Sequence, residues 1–235
     1  MIAGMLRVKN EARWIERVLR SMQPVCERIF LLDDHSEDGT PFLAASLPGV
    51  TVYDSPYSGT DEVRDKNYLL EKVQDARPDY VLHLDGDEEL APGAVDVIRQ
   101  IVAAPRAYVD AWRFRILYLW DREDQIRTDG IYENFRQVRM FRFVPGRRFI
   151  GNANGGNFHC GQAPQPYTLE DCRAKVLHYG YMHREDRLRK YEWYNRKDPG
   201  NEFEDRYRHM VLGDAPELPA GMRVKWGGPL KLEAL

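Results

Sequence analysis

Blocks of apolar residues broken by polar clusters organise the first half of the chain. Residues 2–8 are a short apolar run of strand type; Ala12, Ile15, Val18, Leu19 and Met22 then recur at helical spacing, with Asn10 placed to cap that helix. Residues 28–32 read as a second strand that runs into Asp33 and Asp34, and Thr40-Pro41 marks a helix start. Residues 50–53 give a third strand, and Asp61 caps a helix carrying Val63, Leu70 and Val73. Residues 80–84 give a fourth strand ending in Asp85-Gly86-Asp87, and Pro92 opens a helix through Val102. Repeated strand–helix units predict an α/β fold, a mainly parallel sheet flanked by helices.

The second half reads differently. Residues 108–120 alternate Trp112, Phe114, Ile116, Tyr118 and Trp120 with Arg113, Arg115, Leu117 and Leu119, the pattern of one long strand. Residues 137–143 and 175–179 predict further strands, and 187–196 a helix with charges of both signs. From Asp198 onward Pro and Gly become frequent, which predicts a loosely packed tail. No repeat or linker divides the chain, so a single domain is expected.

Composition narrows the possibilities. The 235 residues, 43% hydrophobic and 30% charged, suffice for one sizeable core. A net charge of -3 argues against nucleic acid as a partner. There is no apolar stretch of transmembrane length, and the start reads as a strand instead of a signal peptide, so the expectation is a cytoplasmic protein. Cys26, Cys160 and Cys172 are odd in number and irregularly spaced, which excludes a disulfide framework; with His159 and His178 they match no zinc pattern. One bias stands out: no Asp or Glu lies between Phe135 and Leu169, whereas Arg136, Arg139, Arg142, Arg147 and Arg148 do. Singly these read as a solvated face; together they are candidates to line an anionic site.

The chemistry sits at predicted strand ends. Lys9-Asn10-Glu11, the cluster from Asp33 to Thr40, and Asp85-Gly86-Asp87-Glu88 all follow strands, and ligands of open parallel sheets bind at those carboxyl ends. Asp85 and Asp87, two apart in extended chain, share a face, and Gly86 admits a close approach to the backbone. Two hard carboxylates with open positions suit Mg²⁺ or Mn²⁺ bridged to phosphate. Asp34-x-Ser36-x-Asp38-Gly39 fails as a calcium loop, because its twelfth position is Ala45. Trp112, Trp120 and Trp193 are candidates either for core or for a sugar-stacking platform.

Lys9-Asn10-Glu11, Asp33-Asp34-x-Ser36-x-Asp38-Gly39-Thr40, Lys66-Asn67 and Leu84-Asp85-Gly86-Asp87-Glu88 together resemble the GT-A-fold glycosyltransferases, specifically family 2. A weaker likeness continues through Val138-Arg139-Met140-Phe141-Arg142 and His178-Tyr179-Gly180-Tyr181. The resemblance implies a Rossmann-like sheet and metal-dependent transfer from a UDP or TDP sugar, with inversion. It divides the domain into a nucleotide-sugar-binding half (1–104), an acceptor and catalytic half (105–197) and a tail (198–235). It places Arg7, Lys9 and Asn10 over the nucleotide base, Asp34 as the acceptor of base hydrogen bonds, and Arg64 and Lys66 as donor-site cations. Lys66 stands where the family usually has Arg, keeping the charge without the fork. Asp85 is similar to a residue touching ribose and metal, Asp87 to the direct metal ligand, and His178 to a further ligand. Arg184, Arg187 and Lys190 resemble a basic segment near the pyrophosphate.

The pattern breaks at the general base. Relatives with the R-x-F-R strand usually follow it with a His-Glu or Glu-Asp pair, and this chain has Phe158-His159-Cys160. His159, Asp129 and Glu133 are the candidates for proton acceptor. The acceptor class stays open among polysaccharide, lipid-linked sugar, protein and small molecule. Two other readings remain: a nucleotidyltransferase, disfavoured because residues 7–13 lack the glycines of a triphosphate-cradling loop, and a nucleotide-sugar-binding protein without the base.

Overall fold

Period-two alternation sorts the residues of the first strand, β1 (Ile2–Val8), onto two helical layers. A Cβ on Gly4 would come within 3.0 Å of Met22, so the backbone lies directly against helix α1 (Ile15–Met22). Ala3 and Met5 face the opposite layer, a core shared with Leu69, Leu70 and Val73 of helix α3 (Glu62–Gln74). The computed structural model describes residues 1–151, 162–198, 207–211 and 230–235. They fall into two compact units, one from residues 1–115 and 136–176, the other from 116–135 and 177–235.

In the first unit β1 pairs in parallel with β2 (Arg28–Asp33) and with β4 (Tyr80–His83), and β2 pairs in parallel with β3 (Val50–Asp54). Helix α2 (Thr40–Ala45) starts at the expected Thr40-Pro41, and Asp61 caps α3 by accepting from the Arg64 N–H at 3.0 Å. The short β5 (Glu88–Leu90) precedes α4 (Ala94–Ala103), which begins after Gly93 in the left-handed region at φ +83° and not at Pro92. The long strand β6 (Ala111–Trp120) continues, after β7 (Arg122–Arg127), to β8 (Arg136–Arg142), which runs antiparallel to both β4 and β6. Strand β9 (Leu169–His178) pairs with β5 and β6. The sheet is therefore mixed, parallel where β1 to β4 meet.

Asn10 does not cap α1. It adopts φ +56°, and its side chain goes to the next loop; the helix begins at Ile15 with no side-chain cap.

The second unit has a β6–β7 hairpin edged by β10 (Leu232–Ala234), and helix α5 (Arg184–Lys197). Of the tail's described residues, Tyr207, Met210 and Val211 are buried with Tyr181, Leu188, Tyr191 and Tyr194 around them. The Tyr207 hydroxyl donates to Asp198 at 3.0 Å. Among the described residues no helix is long and apolar enough to cross a membrane.

Candidate functional site

The clusters after β1 and β2 meet through backbone hydrogen bonds to side chains. Asn10 N–H donates to Ser36 Oγ at 2.8 Å, Glu11 N–H to Thr40 Oγ1 at 2.8 Å, and Ala12 N–H to Asp38 Oδ2 at 3.1 Å; Glu37 N–H returns a bond to Asn10 Oδ1 at 2.8 Å. The loop after β4 closes on the same place. A Cβ on Gly86 would stand 2.7 Å from Glu11 Cγ and 2.9 Å from Val8 Cγ1, so only glycine permits the approach. Lys9 and Asn10 are exposed at this edge.

Beneath it runs a chain of alternating charges. Arg7, next after Ala3 and Met5 on the α3 face of β1, donates to Asp34 Oδ2 at 2.5 Å and to Asp65 Oδ2 at 3.1 Å; Arg64 donates to Asp65 Oδ1 at 2.8 Å. Asp65 is fully buried, and Arg64 also reaches the carbonyls of Ser58 and Gly59 and lies over the Tyr57 ring. Asp34 is 1% exposed, and its Oδ1 has no hydrogen-bond partner among the described residues. A buried anion with an unfilled acceptor position is costly, so this atom is set for a donor from outside the protein.

Lys66 lies 3.6 Å from Glu62 and over the Phe149 ring, while Asn67 exchanges two 2.9 Å hydrogen bonds with the Phe149 backbone. Of the Lys66-Asn67 pair, Asn67 braces the fold.

Asp85 and Asp87 lie in the turn that follows β4. The Asp85 side chain is 49% exposed and its Oδ2 accepts from Arg139 Nη2 at 2.9 Å. The same Nη2 donates to Glu88 Oε1, and Glu88 Oε2 accepts from the Asp85 N–H at 3.1 Å, which closes a ring. Burial pushes the Glu88 carboxyl up to about 7, with Arg139 pulling it down and Asp85 and Asp87 pushing it further up. Burial, then Arg139, then Lys66 hold His83 well below the usual imidazole range, so it is neutral.

Among the described residues no group of three or more His, Cys, Asp or Glu is placed to hold a metal. Asp85 is half exposed and Asp87 is 5% exposed; the two supply hard carboxylate oxygens at one turn, the donor type that suits Mg²⁺ or Mn²⁺.

The other candidates belong to the second unit or to no anionic site. His178 accepts from the Gly180 N–H through Nδ1 at 3.1 Å and packs against Tyr118 and Tyr181. A neutral ring accepting at Nδ1 carries its proton on Nε2, an arrangement that suits packing better than metal ligation. Arg187 is buried: it donates to the Tyr181 and Met182 carbonyls and to Asp121, and covers Trp120. Lys190 lies over the Tyr181 ring and Arg184 is exposed on α5. Asp129 receives both Arg127 Nε and Nη2 at 2.8 Å, and Glu133 is exposed. His159 and Cys160 lie outside the described residues.

The acid-free arginines separate. Arg142 holds the Val109 and Arg106 carbonyls, Arg147 pairs with Asp110, Arg148 with Glu71 and Arg136 with Asp171; only Arg139 faces the strand-end carboxylates. Nor do the tryptophans form one platform. Trp112 packs on Tyr80 in the first unit, Trp120 lies in the second between Arg127 and Arg187, and Trp193 packs on Tyr194. Cys26 and Cys172 are free thiols, and burial raises both, Cys172 to about 11.

Sequence reasoning missed Asp65 and named Glu88 within its cluster without giving it a role. Asp65 had a signal: it shares a four-residue spacing with Leu69 and Val73, a carboxylate on an otherwise apolar stripe.

Comparison with known proteins bears on this edge. The model of glycosyl transferase family 2 matches residues 6–160. An uncharacterised glycosyltransferase of Rickettsia bellii is 33% identical over 145 residues, 61% of this chain and 47% of that protein. An uncharacterised protein of Mycobacterium tuberculosis is 26% identical over 218 residues, 86% of this chain and 52% of that one. The chain thus spans about half the length of these relatives. Among solved structures, S. aureus TarS superposes with a TM-score of 0.52 at 12% identity, over 91% of this chain and 42% of that one. Its 1–349 fragment gives 0.51 at 10% identity, over 91% and 70%. At such identity the likeness concerns the fold alone.

Proposed function

The chain belongs to glycosyl transferase family 2, with the GT-A fold of its structural neighbours, and on that premise we propose that it moves a sugar from a UDP- or TDP-type donor to an acceptor hydroxyl with inversion. The observation that carries this reading is the stapled edge, where Asp34 follows β2, Asp85 and Asp87 follow β4 on the other side of β1, and Asp34 keeps a buried oxygen unfilled among the described residues. In this reading Asp34 Oδ1 accepts the ring N–H of uracil or thymine. Arg7 holds that carboxylate in one orientation, because its guanidinium is itself fixed by Asp65.

Asp85 and Asp87 would hold Mn²⁺ or Mg²⁺. When bound, the metal supplies positive charge against the diphosphate as the sugar leaves. Gly86 lets the loop that carries the two carboxylates close on Val8 and Glu11. Inversion requires one proton acceptor for the incoming hydroxyl. Asp129 spends both oxygens on Arg127, which disfavours it for that task.

The test is product analysis with a panel of UDP and TDP sugars. The reading predicts Mn²⁺-dependent release of the nucleoside diphosphate, abolished by chelation. Release of pyrophosphate would mean nucleotidyl chemistry, and no product from any donor would mean binding alone.

A further inference from the structure

Strands β6 and β8 are out of step at one point. Trp112 pairs with Met140, and its neighbour Arg113 pairs with Val138, so β8 advances two residues while β6 advances one. Arg139 is the extra residue of a β-bulge, a device that re-aims a side chain at the cost of a ladder bond. Its guanidinium bonds both Asp85 and Glu88, and only the Asp85 side of that bridge is open to solvent. Arg139 itself is 4% exposed.

We propose that Arg139 is an internal counter-cation that holds Asp85 until a divalent metal takes its place, so that metal and nucleoside diphosphate enter the site together. The inference rests on the assignment of Asp85 and Asp87 to the metal. Without metal, Asp85 and Asp87 share one turn beside the buried Glu88, and like charges at that spacing repel. Arg139 removes the repulsion. The same positive charge opposes a second cation at Asp85, so metal alone binds weakly. A diphosphate adds negative charge beside the metal and restores the balance, and by linkage each then tightens the other. Glu88 stays with Arg139 when Asp85 leaves, because a buried carboxylate stripped of its partner is penalised far more than a half-exposed one.

The experiment titrates MnCl₂, alone and then with UDP, into the full chain and its Arg139→Gln and Arg139→Lys variants, with calorimetry and metal-free melting as readouts. In wild type, Mn²⁺ alone binds weakly and UDP strengthens it. Arg139→Gln melts lower without metal but binds Mn²⁺ alone about tenfold tighter, since a neighbouring positive charge has gone. Arg139→Lys falls between: the shorter ammonium stays with Glu88 and releases Asp85. Should Arg139→Gln not fold, Arg139→Lys alone carries the same comparison. A folded variant that binds Mn²⁺ alone as wild type does, or more weakly, overturns the proposal and makes Arg139 a structural brace. If wild type binds no Mn²⁺ even with UDP, it is the assignment of Asp85 and Asp87 that fails.

Discussion

Both units bury ionised side chains, but they complete them differently. In the second unit Arg127, 1% exposed, forks onto both oxygens of Asp129, lies between Trp120 and Tyr132, and gives another N–H to the His209 carbonyl. Arg187 is saturated likewise by two carbonyls and Asp121. In the first unit Asp33 and Asp34 each keep a buried oxygen without a partner among the described residues, and Arg139 joins a sealed carboxylate to an open one. Saturated charge fastens a fold; charge with an unfilled valence is kept for a ligand. The two regions should therefore respond oppositely to removal of a carboxylate.

The largest effect is expected in the second unit. Asp129→Ala leaves Arg127 buried without its counter-charge and should cost about 3–5 kcal/mol of stability, measured by denaturant unfolding. A loss under about 1 kcal/mol, the scale of an exposed ion pair, would mean that water reaches Arg127 and the contrast is false.

Next comes Gly86→Ala. The added methyl meets Val8, which is buried, and Glu11, so about 1–3 kcal/mol is lost and the loop shifts. Affinity for UDP with Mn²⁺ should fall with it. Wild-type affinity together with wild-type stability would show that the close approach is not real.

Asp34→Ala should do the reverse of Asp129→Ala. Arg7 keeps Asp65, so the melting temperature changes little, while a uridine nucleotide binds weaker by about 1–3 kcal/mol, the worth of a hydrogen bond to a charged group. An unchanged dissociation constant removes Asp34 from base recognition.

The same contrast explains what the sequence revealed. Strands β1, β2 and β4 were legible because apolar runs end abruptly in polar clusters, and the D-G-D turn because two carboxylates flank a glycine. Strand β5 was not: Glu88-Glu89-Leu90 has no alternation, and it is a strand because β9 lies beside it. Strand β7 begins with exposed Arg122, Glu123 and Asp124, which show no apolar alternation and form a strand through pairing with β6 and β10. Asn10 looked like a helix cap because its type and position fit; the competing bond from Glu37 decides otherwise. The bulge at Arg139 leaves no local mark, since it is a relation between two strands. Tyr207, Met210 and Val211 were hidden by the Pro- and Gly-rich composition around them.

The central claim is that Asp85 and Asp87 hold a metal against a nucleoside diphosphate, and calorimetric titration of UDP with and without Mn²⁺ into wild type and Asp87→Ala tests it most directly. The account predicts that wild type gains affinity for UDP when Mn²⁺ is present, and that Asp87→Ala loses that gain while remaining folded in the absence of metal. Equal Mn²⁺-assisted binding of UDP by Asp87→Ala and wild type would contradict it.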